Sequence, residues 1–85
     1  MNFTVLGREP AEASLLASLL RAADKPALWA VARDLDARLR TNPQAEGESR
    51  GPARRLAFYR PFCVLFHVDE PNRTVYVEQL KWVGR

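Results

Sequence analysis

The sequence predicts an α+β domain in which a helical hairpin packs on one face of a small antiparallel sheet, in the element order β-α-α-β-β-β. Apolar residues recur at helical spacing between residues 10 and 40, whereas residues 53–83 alternate as β-strands do. A polar segment with two glycines and a proline, 44–52, separates the two halves. At 85 residues, we expect a single domain that spans 1–85.

The first half of the chain predicts one strand and two helices. Residues 2–6 are β-prone, end at Gly7 and are expected to form an edge strand. Pro10 suits the first turn of a helix, and Asp24 suits the cap of a second helix that runs from Pro26 to about Arg40. The apolar stripe of the first helix is Leu15, Leu16, Leu19, Leu20 and Ala23. The buried side of the second is Leu28, Val31, Ala32, Leu35 and Leu39, with Trp29 also expected in the core.

The second half predicts a loop and three strands. Residues 44–52 contain no large apolar residue and are expected to be a loop. Strands are predicted at 53–59, 62–68 and 74–83, with a turn at 69–73. The strand 62–68 is apolar on both faces and is therefore expected at the centre of the sheet. In the last strand Leu80 is out of phase with Val75 and Val77, which predicts a β-bulge.

The two faces of the predicted sheet differ in character. The leucine stripes of the helices need an apolar surface, so the helices are expected to cover one face. The other face is then left open. It would carry Cys63, Leu65 and His67, together with arginines of the preceding strand. We expect function on this open face.

Positive charge is concentrated in the C-terminal half. Residues 50–85 hold seven Lys/Arg and three Asp/Glu, whereas residues 1–49 hold six Lys/Arg and seven Asp/Glu. Eleven of the thirteen cations are arginine, whose planar fork binds phosphates and carboxylates well. The charge therefore favours a nucleic acid or an acidic protein as partner, although a merely solvated basic surface explains it equally well.

Composition excludes several other classes of function. With one cysteine, Cys63, and one histidine, the chain has neither a disulfide nor a cluster of Cys and His ligands for a metal, and we expect no cofactor. No apolar run is long enough to span a membrane, and the N-terminus lacks the pattern of a signal peptide. We expect a cytoplasmic protein.

Three segments resemble the RelE/ParE superfamily of type II toxins, which includes proteins called plasmid stabilisation factors. LRTNPQAEGE at 39–48 resembles the family's L-x-x-N-P and the loop after it. RRLAFYRPFCVLFHVDE at 54–70 is similar to a basic strand followed by an "R-V-x-Y-x-V-D" strand, and RTVYVEQLKWV at 73–83 is similar to the return strand. The resemblance covers nearly the whole chain and implies a cytoplasmic toxin that a cognate antitoxin neutralises.

The resemblance implies two different activities for one fold. RelE-like toxins cleave mRNA on the ribosome without a metal, whereas ParE-like toxins inhibit DNA gyrase. We favour a RelE-like mRNA interferase. The alternatives are a ParE-like gyrase inhibitor and a degenerate member that only binds its antitoxin.

The resemblance also assigns candidate site residues. The family's basic pair falls on Arg54 and Arg55, and its cation near the last strand falls on Lys81. The family's arginine at the start of the central strand is replaced by Cys63, and the C-terminal Tyr or His of several relatives has no counterpart. The single histidine, His67, is the one side chain whose ordinary pKa suits proton transfer at neutral pH. The predicted catalytic set is therefore His67, Arg54, Arg55 and Lys81. The predicted RNA-binding set is Arg50, Arg54, Arg55, Arg60, Lys81, Trp82 and Arg85.

Overall fold

The structure, a computed structural model, describes residues 2–83 and contains every element that the sequence predicts. The elements are β1 (Thr4–Gly7), α1 (Glu9–Arg21), α2 (Lys25–Thr41), a 3-10 turn (Pro43–Ala45), β2 (Glu48–Ser49), β3 (Arg54–Tyr59), β4 (Phe62–Asp69) and β5 (Thr74–Trp82). The 3-10 turn and the two-residue β2 lie inside the segment predicted as a loop. Arg85, predicted as an RNA contact, lies outside the described residues.

Local sequence signals determine where the helices begin. Pro10 lies in the first turn of α1, where its missing N–H costs no hydrogen bond. Asp24 caps α2, since its carboxylate accepts a hydrogen bond of 3.0 Å from the backbone N–H of Ala27. Neither helix of the described chain is long and apolar enough to cross a membrane.

Within residues 2–83 the strands form one five-stranded sheet in the order β1-β5-β4-β3-β2. The sheet is mixed and not wholly antiparallel as expected, because the edge strand β1 runs parallel to β5. The other pairs, β2–β3, β3–β4 and β4–β5, are antiparallel. β1 reaches the sheet only through the helical hairpin, so no tight turn imposes an antiparallel pairing on it.

The predicted bulge in the last strand is confirmed. Leu65 pairs with Gln79, but its neighbour Phe66 pairs with Val77, which leaves Glu78 as the extra residue of β5. The bulge corrects the phase of the strand, so that Leu80 is buried on the same side as Val77. Glu78 and Gln79 both lie between these two core residues.

The core lies between the helices and one face of the sheet, which confirms the predicted α+β architecture. Four alternate residues of β4, namely Phe62, Val64, Phe66 and Val68, are at most 3% exposed. Leu28, Leu35 and Leu39 of α2 and Ala11 of α1 are buried with them. The other four residues of β4 are half-buried and face away from the helices.

The apolar stripe of α1 is narrower than predicted. Leu15 and Leu19 pack against the core, whereas Leu16 and Leu20 are 58% and 69% exposed. Trp29, expected in the core, is 50% exposed and lines a groove of about 540 Å³ between the helices and the sheet. The narrow stripe has a structural reason: α1 lies mainly over β5, near the edge of the sheet, where only one side of the helix can be covered.

The segment after α2 is fastened to the helix-covered side of β3. The Tyr59 hydroxyl donates a hydrogen bond to the Glu46 carboxylate, and Arg38 of α2 lies 4.0 Å from the same carboxylate. Arg55 donates through Nε to the carbonyl of Glu46 at 2.7 Å and through Nη2 to that of Gly47 at 3.0 Å. These bonds hold the segment against β3, and the fully buried Pro43 of the 3-10 turn anchors its start.

Gly47 should tolerate no side chain. Its φ is +68°, and an added Cβ would lie 2.2 Å from the carbonyl oxygen of Leu56 and 2.7 Å from the Cβ of Ala57. Gly47→Ala should therefore lower the free energy of unfolding by about 2–3 kcal/mol in denaturant titrations. Gly51→Ala is the control, because that position also has a positive φ but an added Cβ meets nothing within 4 Å. Equal losses in the two variants would contradict a steric role for Gly47.

Alkaline pH should weaken the Tyr59–Glu46 contact. Burial, followed by the hydrogen bond to Glu46, raises the pKa of Tyr59 well above its usual value near 10. The unfolded chain therefore loses this proton at lower pH than the folded chain does, so stability should fall as pH rises above about 10. Thermal melts between pH 8 and 11 should show a smaller fall for Tyr59→Phe than for the parent. Tyr76→Phe is the control, and an unchanged pH dependence in Tyr59→Phe would refute the assignment.

Candidate functional site

The face of β3, β4 and β5 opposite the helices, called here the open face, carries the candidate site. Strand pairing arranges its side chains in rows across the sheet. One row contains Arg54, His67 and Tyr76. The next contains Leu56, Leu65 and Gln79, and a third contains Phe58, Cys63 and Lys81.

The first row joins the histidine to an aromatic residue and to arginines. The His67 and Tyr76 rings meet edge to face, with their centroids 6.2 Å apart. The guanidinium of Arg8, just after β1, lies 4.5 Å from the centroid of the Tyr76 ring, a cation–π distance. Arg54 of β3 is the cross-strand neighbour of His67, on the strand opposite to that of Tyr76. An imidazole flanked by cations and an aromatic ring can transfer a proton next to a bound phosphate.

A carboxylate also belongs to this part of the open face. Oε1 of Glu78 lies 3.1 Å from Nε of Arg54, so the ion pair joins β5 to β3 across β4. The Glu78 side chain is only 18% exposed, whereas that of Arg54 is 53% exposed. Glu78 directly follows the core residue Val77, so alternation places its side chain on the side of the strand away from the core.

Lys81 lies at the other end of the open face. Its strand partner is Cys63, four residues from His67 along β4, a separation of about 13 Å at roughly 3.3 Å per residue. Phe58 completes the row and is 63% exposed. Lys81 and Phe58 are therefore placed to contact a part of an extended ligand that is distant from His67.

The other predicted site residues are not gathered on the open face. Arg55 points to the helix-covered side and binds the carbonyls of Glu46 and Gly47. Arg60 and Trp82 line a cavity of about 730 Å³ beside α2, where Trp82 packs edge-on against Phe62. Arg50 lies after β2, 3.5 Å from Glu48. The cations that are adjacent in sequence are thus distributed over both sides of the sheet.

Sequence reasoning missed Arg8 and Glu78. Arg8 comes from the far end of the chain and reaches Tyr76 only because β1 pairs with β5. Glu78 lies in the predicted bulge, and its alternation with Val75 and Val77 was the signal that could have placed it on the open face. Cys63 is half-buried and lies between Phe58 and Lys81 in its row.

Comparison with solved structures shows the fold. The chain is similar to a chain of the toxin–antitoxin complex RelBE2 from Mycobacterium tuberculosis, with a TM-score of 0.77 and 18% identity over 96% of this chain and 92% of that one. It is also similar to a chain of the chromosomal ParDE toxin–antitoxin system from P. aeruginosa, with a TM-score of 0.71 and 18% identity over 95% and 96% of the two chains. These similarities confirm the predicted α+β fold. No protein-family model and no curated protein matches the sequence.

Loss of the Arg55 side chain should lower the stability of the fold more than loss of the Arg54 side chain. Arg55→Ala removes two hydrogen bonds to carbonyls and should lower the free energy of unfolding by about 1–2 kcal/mol. Arg54→Ala removes one ion pair of a half-exposed side chain and should change stability by less than about 1 kcal/mol. Denaturant titrations of both variants test this. A larger stability loss in Arg54→Ala than in Arg55→Ala would contradict the placement of the two side chains.

Proposed function

We propose that this chain, which has the fold of the RelE and ParE toxins, is the toxin of a type II toxin–antitoxin system and acts on mRNA during translation. The observation that carries the proposal is the row Arg54, His67 and Tyr76 on the open face. It combines a proton-transfer group, a cation and an aromatic ring on an exposed sheet, which are the groups that RNA binding and cleavage require.

An antitoxin protein is the proposed regulatory partner. Both structural relatives are chains of toxin–antitoxin systems. The fold alone does not determine the target of the toxin, and the side chains of the open face are what favour RNA.

The proposed reaction is transesterification within the RNA chain. The 2′-oxygen of a ribose attacks the adjacent phosphorus, and the bond from phosphorus to the 5′-oxygen of the next nucleotide breaks. His67 takes the proton of the 2′-hydroxyl, and water protonates the departing 5′-oxygen. The products are a 2′,3′-cyclic phosphate and a free 5′-hydroxyl. Arg54 stabilises the charge on the phosphorus oxygens in the transition state.

The remaining cations are assigned by their distance from this row. Lys81 lies about 13 Å along the sheet, so we assign it to a neighbouring phosphate and not to the reacting one. Arg8 supports Tyr76, on which a base can stack. Arg55 holds the segment at Glu46 and Gly47 and contributes to the site only by keeping β3 in place.

Inhibition of DNA gyrase is the second candidate function. Two observations favour it. Cys63 occupies the position where the resemblance to RelE implies an arginine. Arg54 is partly neutralised by Glu78, which lowers the attraction of the open face for phosphate. A face of mixed charge suits a protein surface as well as it suits RNA.

One experiment separates the candidates. The gene is induced alone in a tractable bacterium while growth, mRNA and gyrase are followed together. mRNA cut within translated codons, mapped by primer extension, would support the first function. Growth arrest with trapped complexes of gyrase and cleaved DNA, and with intact mRNA, would support the second. Normal growth would reject both and favour a chain that only binds its antitoxin.

His67 is expected to be required for cleavage. His67→Gln keeps the polar character and similar size of the side chain but cannot accept the proton, so cleavage should fall by about 10²–10⁴-fold. Primer extension after a short induction measures the loss, and thermal melting checks that the variant is folded. Tyr76→Phe is the control, because it preserves the ring beside His67 and should retain most of the activity. Undiminished cleavage by His67→Gln would eliminate His67 as the proton acceptor.

A further inference from the structure

The pairing of Arg54 with a nearly buried carboxylate has a consequence for ligand affinity. We propose that the Glu78 carboxylate competes with a ligand phosphate for Arg54, and thereby sets the affinity of the open face for a single-stranded nucleic acid. This inference rests on the proposed function, because it assumes that the ligand of the open face has a phosphodiester backbone.

The ion pair directly occupies the guanidinium of Arg54. Glu78 reaches Arg54 across β4, and Nε and Oε1 are 3.1 Å apart. Among the described residues this carboxylate is the one group that pairs with Arg54. A phosphate at Arg54 must therefore either displace the carboxylate or bind beside a negative charge, and both reduce affinity.

The two partners of the ion pair differ in burial. The Glu78 side chain is 18% exposed and the Arg54 side chain is 53% exposed, so the arginine is accessible while the acid beneath it is largely enclosed. The bulge places Glu78 between two residues buried in the core, Val77 and Leu80. The competitor is therefore held by the fold of β5 and does not depend on a mobile side chain at the surface.

The contact between Glu78 and Arg54 is weak for its distance. Oε1 of Glu78 is buried and accepts no hydrogen bond among the described residues, so its contact with the half-exposed Arg54 lacks hydrogen-bond geometry. A polyanion that also contacts Lys81 and Arg8 can therefore replace the carboxylate at Arg54 more readily than a single phosphate does. Glu78 should thus favour extended nucleic acids over small phosphates. It limits binding without preventing it.

The test is a double-mutant cycle on Glu78 and Arg54. The probe is a 2′-O-methyl oligouridylate of about ten nucleotides, which the protein cannot cleave because the attacking hydroxyl is blocked. Glu78→Gln should bind this probe roughly threefold to tenfold more tightly than the parent. Its plot of log affinity against log salt should be steeper by up to about 0.7, the slope of one phosphate contact on a single strand, because the parent makes the contact at Arg54 in only a part of its complexes. In an Arg54→Ala background the same substitution should give almost no gain.

A matched control separates local competition from net charge. Glu70→Gln removes one negative charge as Glu78→Gln does, and it likewise breaks an ion pair, that with Arg73 at 3.3 Å in the β4–β5 turn. It should leave the affinity and the slope nearly unchanged. Thermal melts of all variants confirm that they are folded.

Several results would overturn the inference. An equal gain in Glu70→Gln, or an undiminished gain without Arg54, would show that only net charge matters. Weaker binding by Glu78→Gln would show that Glu78 positions Arg54 and does not compete for it. Failure of Glu78→Gln to bind the probe would also reject the proposed competition.

The proposed function fails separately from this inference. Tighter binding by Glu78→Gln, with intact mRNA in cells that express any of the variants, would reject mRNA cleavage and keep the competition. Cut mRNA, together with an affinity that does not change in Glu78→Gln, would keep mRNA cleavage and reject the competition.

Discussion

The alternation of side chains along β4 is the constraint on which the rest of the structure depends. Phe62, Val64, Phe66 and Val68 are nearly inaccessible beneath the helices, and their neighbours Cys63, Leu65 and His67 necessarily face the other way. Because β4 lies at the centre of the sheet, this one strand determines both where the core is and where the open face is. A shift of β4 by one residue would turn His67 toward the helices and expose Phe62 and Phe66 on the open face.

The bulge in β5 connects the core to the chemistry of the open face. A strand without it would bury either Val77 or Leu80, but not both. The extra residue that resolves this conflict is Glu78, which reaches Arg54 across the central strand. A requirement of packing thus places a negative charge beside the arginine that the proposed function uses.

The two arginines at the start of β3 show how alternation separates neighbouring residues. Arg54 faces the open side with His67, whereas Arg55 holds the segment after α2 through two backbone carbonyls. The same segment is tied by Tyr59 to Glu46 and is confined at Gly47 by the backbone of Leu56. The arginine-rich stretch therefore contributes as much to the construction of the domain as to its charged surface.

The sequence by itself determined the elements, because their signals are local. The cap at Asp24, the proline in the first turn of α1, the alternation of β4 and the phase shift in β5 each depend on a few consecutive residues. The fold class and the position of His67 on the open face follow from them. The tertiary structure alone decided the parallel pairing of β1 with β5, which brings Arg8 to Tyr76, and the exposure of Trp29 at the groove between the helices and the sheet. It also decided that Glu78 of β5 pairs with Arg54 of β3 across β4. Such a contact depends on strand order and register, which no short stretch of sequence specifies.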